Sequence, residues 1–404
     1  MSGHPGRGTR IAPRAAAVAP FHVMRLLARA RELEAAGRDI VHLEVGEPDF
    51  LTPAPVVEAA ARALADGCGH YTPAAGLPLL RESIAGYYAE RYGVELSPAR
   101  ILIAPGASGA LQLALLALAG PGDRVMICDP SYPCYRQVVG LTGADPLLVP
   151  VGPETGYILT RERAQAAWVP GVRALLVATP ANPTGAVLSA GELAALYALC
   201  RERGAVLLVD EIYQGLVYGA ADCTALALGG EGLFVINSFS KYFGMTGWRV
   251  GWVVAPADAA DTLERLAQNL YIAAGTLAQH AACAALAPAT RPLLEQRRAL
   301  LEARRDLLLP GLRALGLHIE GEPRGAFYLY ARLPESLGVD SMAFAAWSLE
   351  QVGVALTPGA DFGAQGACSH VRFAYVRDSD DLHKALDRLA PLDRCACLLL
   401  KRTR

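Results

Sequence analysis

Residues 237–252 read "NSFSKYFGMTGWRVGW". An apolar run, Leu233 to Ile236, leads into them, and Lys241 and Arg249 stand eight residues apart with no carboxylate in the stretch to pair with either. Lys241 is therefore either part of an ordinary polar turn leaving a strand or a lysine held for chemistry. The apolar run before it is one of a series: "RILIA" (100–104), "DRVMICD" (123–129), "PLLVPV" (146–151), "RALLVAT" (173–179), "AVLLVD" (205–210), "LFVINS" (233–238) and "VGWVVA" (250–255). Short apolar runs alternating with longer helical patterns predict an α/β fold, a seven-stranded mostly parallel sheet with flanking helices. Between two of the runs, "SAGELAALYALCRERG" (189–204) carries Ser189 as N-cap, Glu192 three residues on, Leu193, Leu196 and Leu199 at helical spacing, and Gly204 past the end. That pattern is a capping box on a crossover helix.

The flanks differ from this middle. Residues 19–37 predict one amphipathic helix, with Leu26, Ala30 and Leu33 on one face and Gly37 as its stop, and the tail from about 290 mixes helices with strand-like "AFYLYARL" (326–333) and "HVRFAYV" (370–376). The flanks are expected to meet as a smaller α+β domain, residues 12–45 and 290–396, beside a large domain over 46–289. Arginine-rich "RRALLEARRDLLL" (297–309) is interspersed with Glu302 and Asp306 and follows Glu295, which reads as a solvated helix face rather than a basic patch.

In a chain of 404 residues, a net charge of -2 at 19% charged residues gives no support to nucleic-acid or acidic-lipid partners, and small or zwitterionic ligands fit better. The nine cysteines are an odd number, scattered and mostly in apolar segments, as reduced thiols would be. Cys395 and Cys397 have no second pair or histidine cluster beside them, so no metal site is expected. Pro20, His22 and Arg25 break the N-terminal apolar run, against a secretory signal, and the longest apolar run, Leu113 to Ala119, is far short of the ~18 residues a bilayer needs. The expectation is a soluble, cytoplasmic protein.

Three further features fall at predicted strand ends, where open α/β sheets place ligands. In "PGASGALQLALLAL" (105–118) the strand turns through Gly106, Ala107 and Ser108 into a helix, so backbone N–H groups and one hydroxyl can approach an anion. Neither GxxxxGK[ST] nor GxGxxG is matched there. In "ATPANPTG" (178–185) Asn182 precedes a proline and is held extended, its amide free to donate and accept. In "LLVDEIYQG" (207–215) Asp210 ends an apolar strand, which is costly unless a cation meets it, and Tyr213 follows three residues later.

With these residues in hand, the chain resembles the class I/II aminotransferases, pyridoxal phosphate (PLP) enzymes of fold type I, aspartate aminotransferase-like. The ordered motifs are "GEPDF" (46–50), "YTPAAGLPLLR" (71–81), "DPSYP" (129–133), "NPTG" (182–185), "DEIY" (210–213), "SFSKYFGMTGWRVG" (238–251), "GAFY" (325–328) and "RFAY" (372–375). The resemblance implies that Lys241 forms the Schiff base with PLP and later moves a proton, and that Asp210 pairs with the pyridine nitrogen. It implies Gly106, Ala107, Ser108, Ser238 and Arg249 around the phosphate, Tyr132 stacked on the ring, and Asn182 and Tyr213 on its 3′-oxygen. Tyr71 would reach the phosphate of a partner subunit, making a homodimer. Arg372 would clamp the substrate α-carboxylate, with Asn182 also reaching the substrate, Gly46 lending its backbone and Arg377 as the rival arginine.

One departure concerns substrate choice. Some aspartate-using relatives carry a lysine where Ser108 stands, and "AAAVAPF" (15–21) is apolar where substrate-capping residues fall. Recognition of an acidic side chain then needs a cation such as Arg324 or one from a partner chain. The expected reaction exchanges an amino group between an L-amino acid and a 2-oxo acid, 2-oxoglutarate. The same apparatus would serve a C–S β-lyase or a cyclopropane-forming synthase. A PLP-sensing regulator is opposed by the absence of a helix-turn-helix before "GEPDF".

Overall fold

The computed structural model describes residues 9–392. The Cys395/Cys397 pair and the last few residues of the expected small domain lie outside them. After a two-residue strand β1 (Val41–His42), the middle of the chain supplies β2 (Ile101–Ala104), β3 (Arg124–Asp129), β4 (Asp145–Pro150), β5 (Val172–Ala178), β6 (Val206–Asp210), β7 (Leu233–Ser238) and β8 (Gly251–Val254). These last seven are the predicted runs, and they form one sheet in the order β2-β8-β7-β6-β5-β3-β4. Only β8 runs against its neighbours, pairing antiparallel with both β2 and β7. The other six strands therefore all end at the same edge.

Both sheet faces are covered, which is why these runs read as continuously apolar rather than alternating. Ile103, Met126, Leu175, Leu207, Val235 and Trp252 pack into one core layer. Their neighbours Leu102, Ile127, Leu176, Leu208, Ile236 and Val253 pack into the other, against the helix Gly106–Leu118. The crossover helix Ala190–Glu202 has its capping box, with Ser189 and Glu192 exchanging hydrogen bonds.

The flanks join through β1, which pairs in parallel with β10 (Val354–Ala355). A second, antiparallel sheet has β12 (His370–Ala374) between β9 (Tyr328–Arg332) and β11 (Thr357–Pro358). The solvated face expected of the long helix Arg291–Ala314 is only partly seen: its Arg298 and Arg305 form ion pairs with Glu295, Glu302 and Asp306, but their side chains are 25% and 15% exposed. Arg304 departs from that reading. It is buried and holds the Asp49 carboxylate with two nitrogens at 2.8 and 2.9 Å.

The N-terminal helix is shorter than the pattern predicts, His22–Ala35 rather than 19–37. It stops at Gly37 in the left-handed region, φ +85°. Its start is fixed from a distance: no local side chain caps it, and the carboxylate of Asp361 accepts from the N–H groups of His22 and Val23 at 2.8 and 2.9 Å. A cap supplied from 338 residues away leaves no local sequence signal.

Candidate active site

The shared edge of the six parallel strands opens into a cavity of about 330 Å³. Gly46, Ala107, Ser108, Tyr132, Asn182, Asp210, Tyr213, Lys241 and Arg372 all line it. Gly106, Ser238 and Arg249 stand just beside that lining. A Cβ on Gly106 (φ +73°) would meet the Arg249 guanidinium, and one on Gly251 would meet Ser238 and the Gly106 backbone. Glycine at both positions lets a cation, a hydroxyl and a helix start converge, the elements of an anion cradle.

Lys241 Nζ donates to Gly46 O at 2.7 Å. Burial, reinforced by the positive charge of Arg372, lowers its pKa from 10.5 to about 8, so a usable fraction is free amine near neutrality. Asp210 is 5% exposed, with Tyr135 Oη donating to Oδ2 at 2.7 Å and the Ile212 N–H to Oδ1 at 3.0 Å. Burial raises its pKa. No ion pair among the described residues involves it.

Glu211, the next residue, faces away from the cavity. Its carboxyl is held by the Ala225 N–H, Thr224 and Gln214, and burial pushes its pKa up to about 8. Strand alternation separates the two acids: one serves the site, the other the core.

Arg372, on β12, is buried with Nη1 on Asn182 Oδ1 at 2.9 Å and Nη2 on Glu44 O at 2.6 Å and Thr357 Oγ1 at 3.1 Å. Its Nε has no partner. A buried guanidinium with no carboxylate partner, lining a cavity, has the chemistry to receive a carboxylate. Arg377 is the lesser candidate, tied to Asp381 outside the cavity. Arg324 is paired with Glu322 on the surface and also stands outside.

Tyr71 is not brought to this cavity at all. Its side chain is 82% exposed and absent from the lining.

Several participants carry no role in the sequence reading. Tyr135 supports Asp210, and Tyr328 sits 2.7 Å from the Tyr213 hydroxyl and under Arg372. Phe21, Val23, Met24, Leu111 and Phe362 supply apolar wall, with Asp361 and Thr357 beside them. Tyr328 lay within a recognised motif, "GAFY", which could have drawn notice; a tyrosine inside a helix, like Tyr135, carries no such flag.

The residues present fit PLP on two observations: a buried carboxylate without a cationic partner, suited to a protonated ring nitrogen, and the cradle of Gly106, Ser238 and Arg249, suited to a phosphate. Fold and site together define a PLP-dependent transferase of fold type I. The family described as "Aminotransferase class I and II" matches residues 38–389, and the chain belongs to it. It is 39% identical over 381 residues to the valine–pyruvate aminotransferase of Mycobacterium tuberculosis, covering 94% of this chain and 97% of that one. It is 37% identical over 379 residues to an aspartate/prephenate aminotransferase of Thermus thermophilus, covering 93% and 97%. The solved structure of a Thermus thermophilus aspartate aminotransferase with maleate superposes with a TM-score of 0.90 at 36% identity, covering 95% of this chain and 99% of that one. The protein is thus a PLP-dependent aminotransferase, and no helix among the described residues is long and apolar enough to cross a membrane.

Proposed function

We propose that the enzyme moves the α-amino group between L-amino acids with neutral or apolar side chains and a 2-oxo acid, in two half-reactions through one cavity. The carrying observation is that Lys241, with its lowered pKa, shares a cavity with both the buried carboxylate of Asp210 and the uncompensated guanidinium of Arg372. When bound, PLP supplies an electron sink for the carbanion formed at the substrate Cα.

The chain's residues do the rest. Asp210 would keep a proton on the ring nitrogen, and the Tyr135 hydroxyl holds that carboxylate in place. Asn182 and Tyr213 donate to the ring's 3′-oxygen, Tyr132 covers the ring, and Gly106, Ala107, Ser108, Ser238 and Arg249 hold the phosphate. Arg372 grips the substrate α-carboxylate, with Gly46 at its side. Lys241, with its lowered pKa, would carry the proton between the substrate Cα and the cofactor carbon C4′.

The substrate class follows from the walls. Lys241 and Arg372 are the only cations among the described residues lining the cavity, and both are committed. The same cavity takes both partners in turn. An oxo acid without a second carboxylate, such as pyruvate, therefore suits the described lining better than the expected 2-oxoglutarate, whose distal carboxylate needs a cation from outside. Tyr71, so exposed, supports a homodimer in which each chain completes the other's phosphate site. We place the dimer in the cytoplasm, consistent with seven described cysteines that are all free, and divide each chain into a large domain, 46–289, and a small one from both flanks.

The testing experiment is a panel of L-amino acids with pyruvate and 2-oxoglutarate, following oxo-acid product and the cofactor's absorbance. Stoichiometric oxo acid with return of the starting spectrum supports transamination. Ammonia and pyruvate released from a cysteine conjugate, without amino transfer, would assign the enzyme to the β-lyases instead.

A further inference from the structure

Tyr328 has no part in the roles above, yet three residues of the site meet on its ring. Its hydroxyl lies 2.7 Å from that of Tyr213. The Arg372 guanidinium carbon sits 4.1 Å from the ring centroid. A Cβ at Gly46 would run into the same hydroxyl. The side chain is buried, 1% exposed, on β9 at the register position opposite Ala374. We propose that Tyr328 is a positioning residue for both halves of the site: its hydroxyl orients and polarises Tyr213 toward the cofactor's 3′-oxygen, and its ring holds Arg372 toward the substrate carboxylate.

The hydroxyl argument is one of proton supply. Each phenol has one proton to donate. Once Tyr213 gives its proton to the cofactor's oxygen, the bond between the two tyrosines can only be donated by Tyr328. A donor that is itself an acceptor is strengthened, because successive hydrogen bonds polarise one another. The stronger that donation, the better negative charge on the 3′-oxygen is tolerated and the lower the pH at which the bound cofactor gives up its proton. The ring argument is separate. A guanidinium stacked on an aromatic face is attracted to it and held flat, which keeps the unpartnered Nε turned toward an incoming carboxylate. Arg372, Lys241, Tyr132, Tyr135 and Asp210 are other charged or titratable groups around the tyrosine pair, and a phenylalanine at 328 leaves each of them in the chain.

The inference rests on Tyr213 meeting the cofactor, and the experiment separates the two. Holoenzyme is titrated with pH while the cofactor's visible band is recorded, and KM is measured for several amino acids. Tyr328→Phe keeps the ring and should move the titration midpoint up by about 0.5 to 1 pH unit, with KM within about twofold of wild type. Tyr213→Phe should move it at least as far, and the double variant no further than Tyr213→Phe alone. Tyr328→Leu should also raise KM for every amino acid alike, by about fivefold or more. A midpoint unmoved by Tyr328→Phe but moved by Tyr213→Phe overturns the proposal, as does full additivity in the double variant. A midpoint unmoved by either removes the placement of Tyr213 on which the proposal stands, and overturns it that way.

Discussion

Arg372 Nη1 donates to Asn182 Oδ1 at 2.9 Å, across the boundary between the antiparallel sheet and the loop that leaves β5. One hydrogen bond thus ties the residue assigned to the substrate carboxylate to a residue assigned to the cofactor ring. Replacing the arginine by lysine keeps the charge but loses the fork that also serves Glu44 O and Thr357 Oγ1. Arg372→Lys should lower kcat/KM about a hundredfold, ~2.7 kcal/mol of transition-state binding, for every amino acid tested. A loss confined to one substrate would show that Arg372 reads side chains rather than the shared carboxylate.

Lys241 gives a prediction about stability without cofactor. Its pKa is about 8 in the folded chain against an ordinary 10.5. Below pH 8 the lysine is charged in both states, and the fold bears the full cost of burying that charge. Between 8 and 10.5 only the unfolded chain holds the proton, so stability rises with pH, and above 10.5 the cost is gone. Lys241→Met should therefore stabilise apoprotein at pH 7 by about 2 kcal/mol, within the ~3 that the full shift allows. Denaturation of both proteins across pH 7 to 10.5 should show the difference shrinking toward zero, while the variant transfers no amino groups at any pH.

How far the sequence reaches is seen by comparing Asp210 with Asp361. Asp210 was legible because an acid closing an apolar strand at a sheet edge is anomalous by itself. Strand runs and the Ser189–Glu192 capping box were legible for the same reason, being local patterns with local causes. Asp361 is no less buried, but its job, capping a helix in the N-terminal flank, exists only once distant segments meet. Tyr135 and Tyr328 escaped notice likewise: a tyrosine on a helix or strand has a default reading as core. The inverted direction of β8 also lay beyond the pattern, since an antiparallel strand buried on both faces reads as apolar as its parallel neighbours.

Asp210→Asn is the sharpest test of the assigned acid. The amide oxygen can still accept from the Ile212 N–H while its NH2 donates to the Tyr135 hydroxyl oxygen, so the fold should hold and PLP should bind. It cannot balance charge on the ring nitrogen, and kcat should fall by about 10² to 10³ or more. Near-normal turnover would reduce Asp210 to a strand-end residue of structural value only.

Asp361→Ala removes the carboxylate that fixes the start of helix His22–Ala35. The expected cost is about 1 to 2 kcal/mol of stability. Phe21, Val23 and Met24 enter the cavity from that same helix start, so KM for large apolar amino acids should rise more than KM for alanine. Equal effects on both substrates would disconnect the cap from the pocket wall.

The choice of side chain is the last prediction and depends on what the walls lack. Phe21, Val23, Met24, Leu111 and Phe362 can bury an aliphatic or aromatic group, at ~25 cal/mol per Å² of apolar surface removed from water. An aspartate side chain in the same place brings a charge that Ser108 can meet with one hydroxyl. Desolvating a carboxylate against that single partner is unfavourable. Valine, methionine and phenylalanine should therefore have kcat/KM values at least comparable with aspartate's, and pyruvate should serve as acceptor at least as well as 2-oxoglutarate. Ser108→Lys should shift the balance toward aspartate by supplying the cation. An aspartate preference above about a hundredfold in the wild-type enzyme, ~2.7 kcal/mol, would mean that a cation from the partner subunit enters the cavity and reads the side chain.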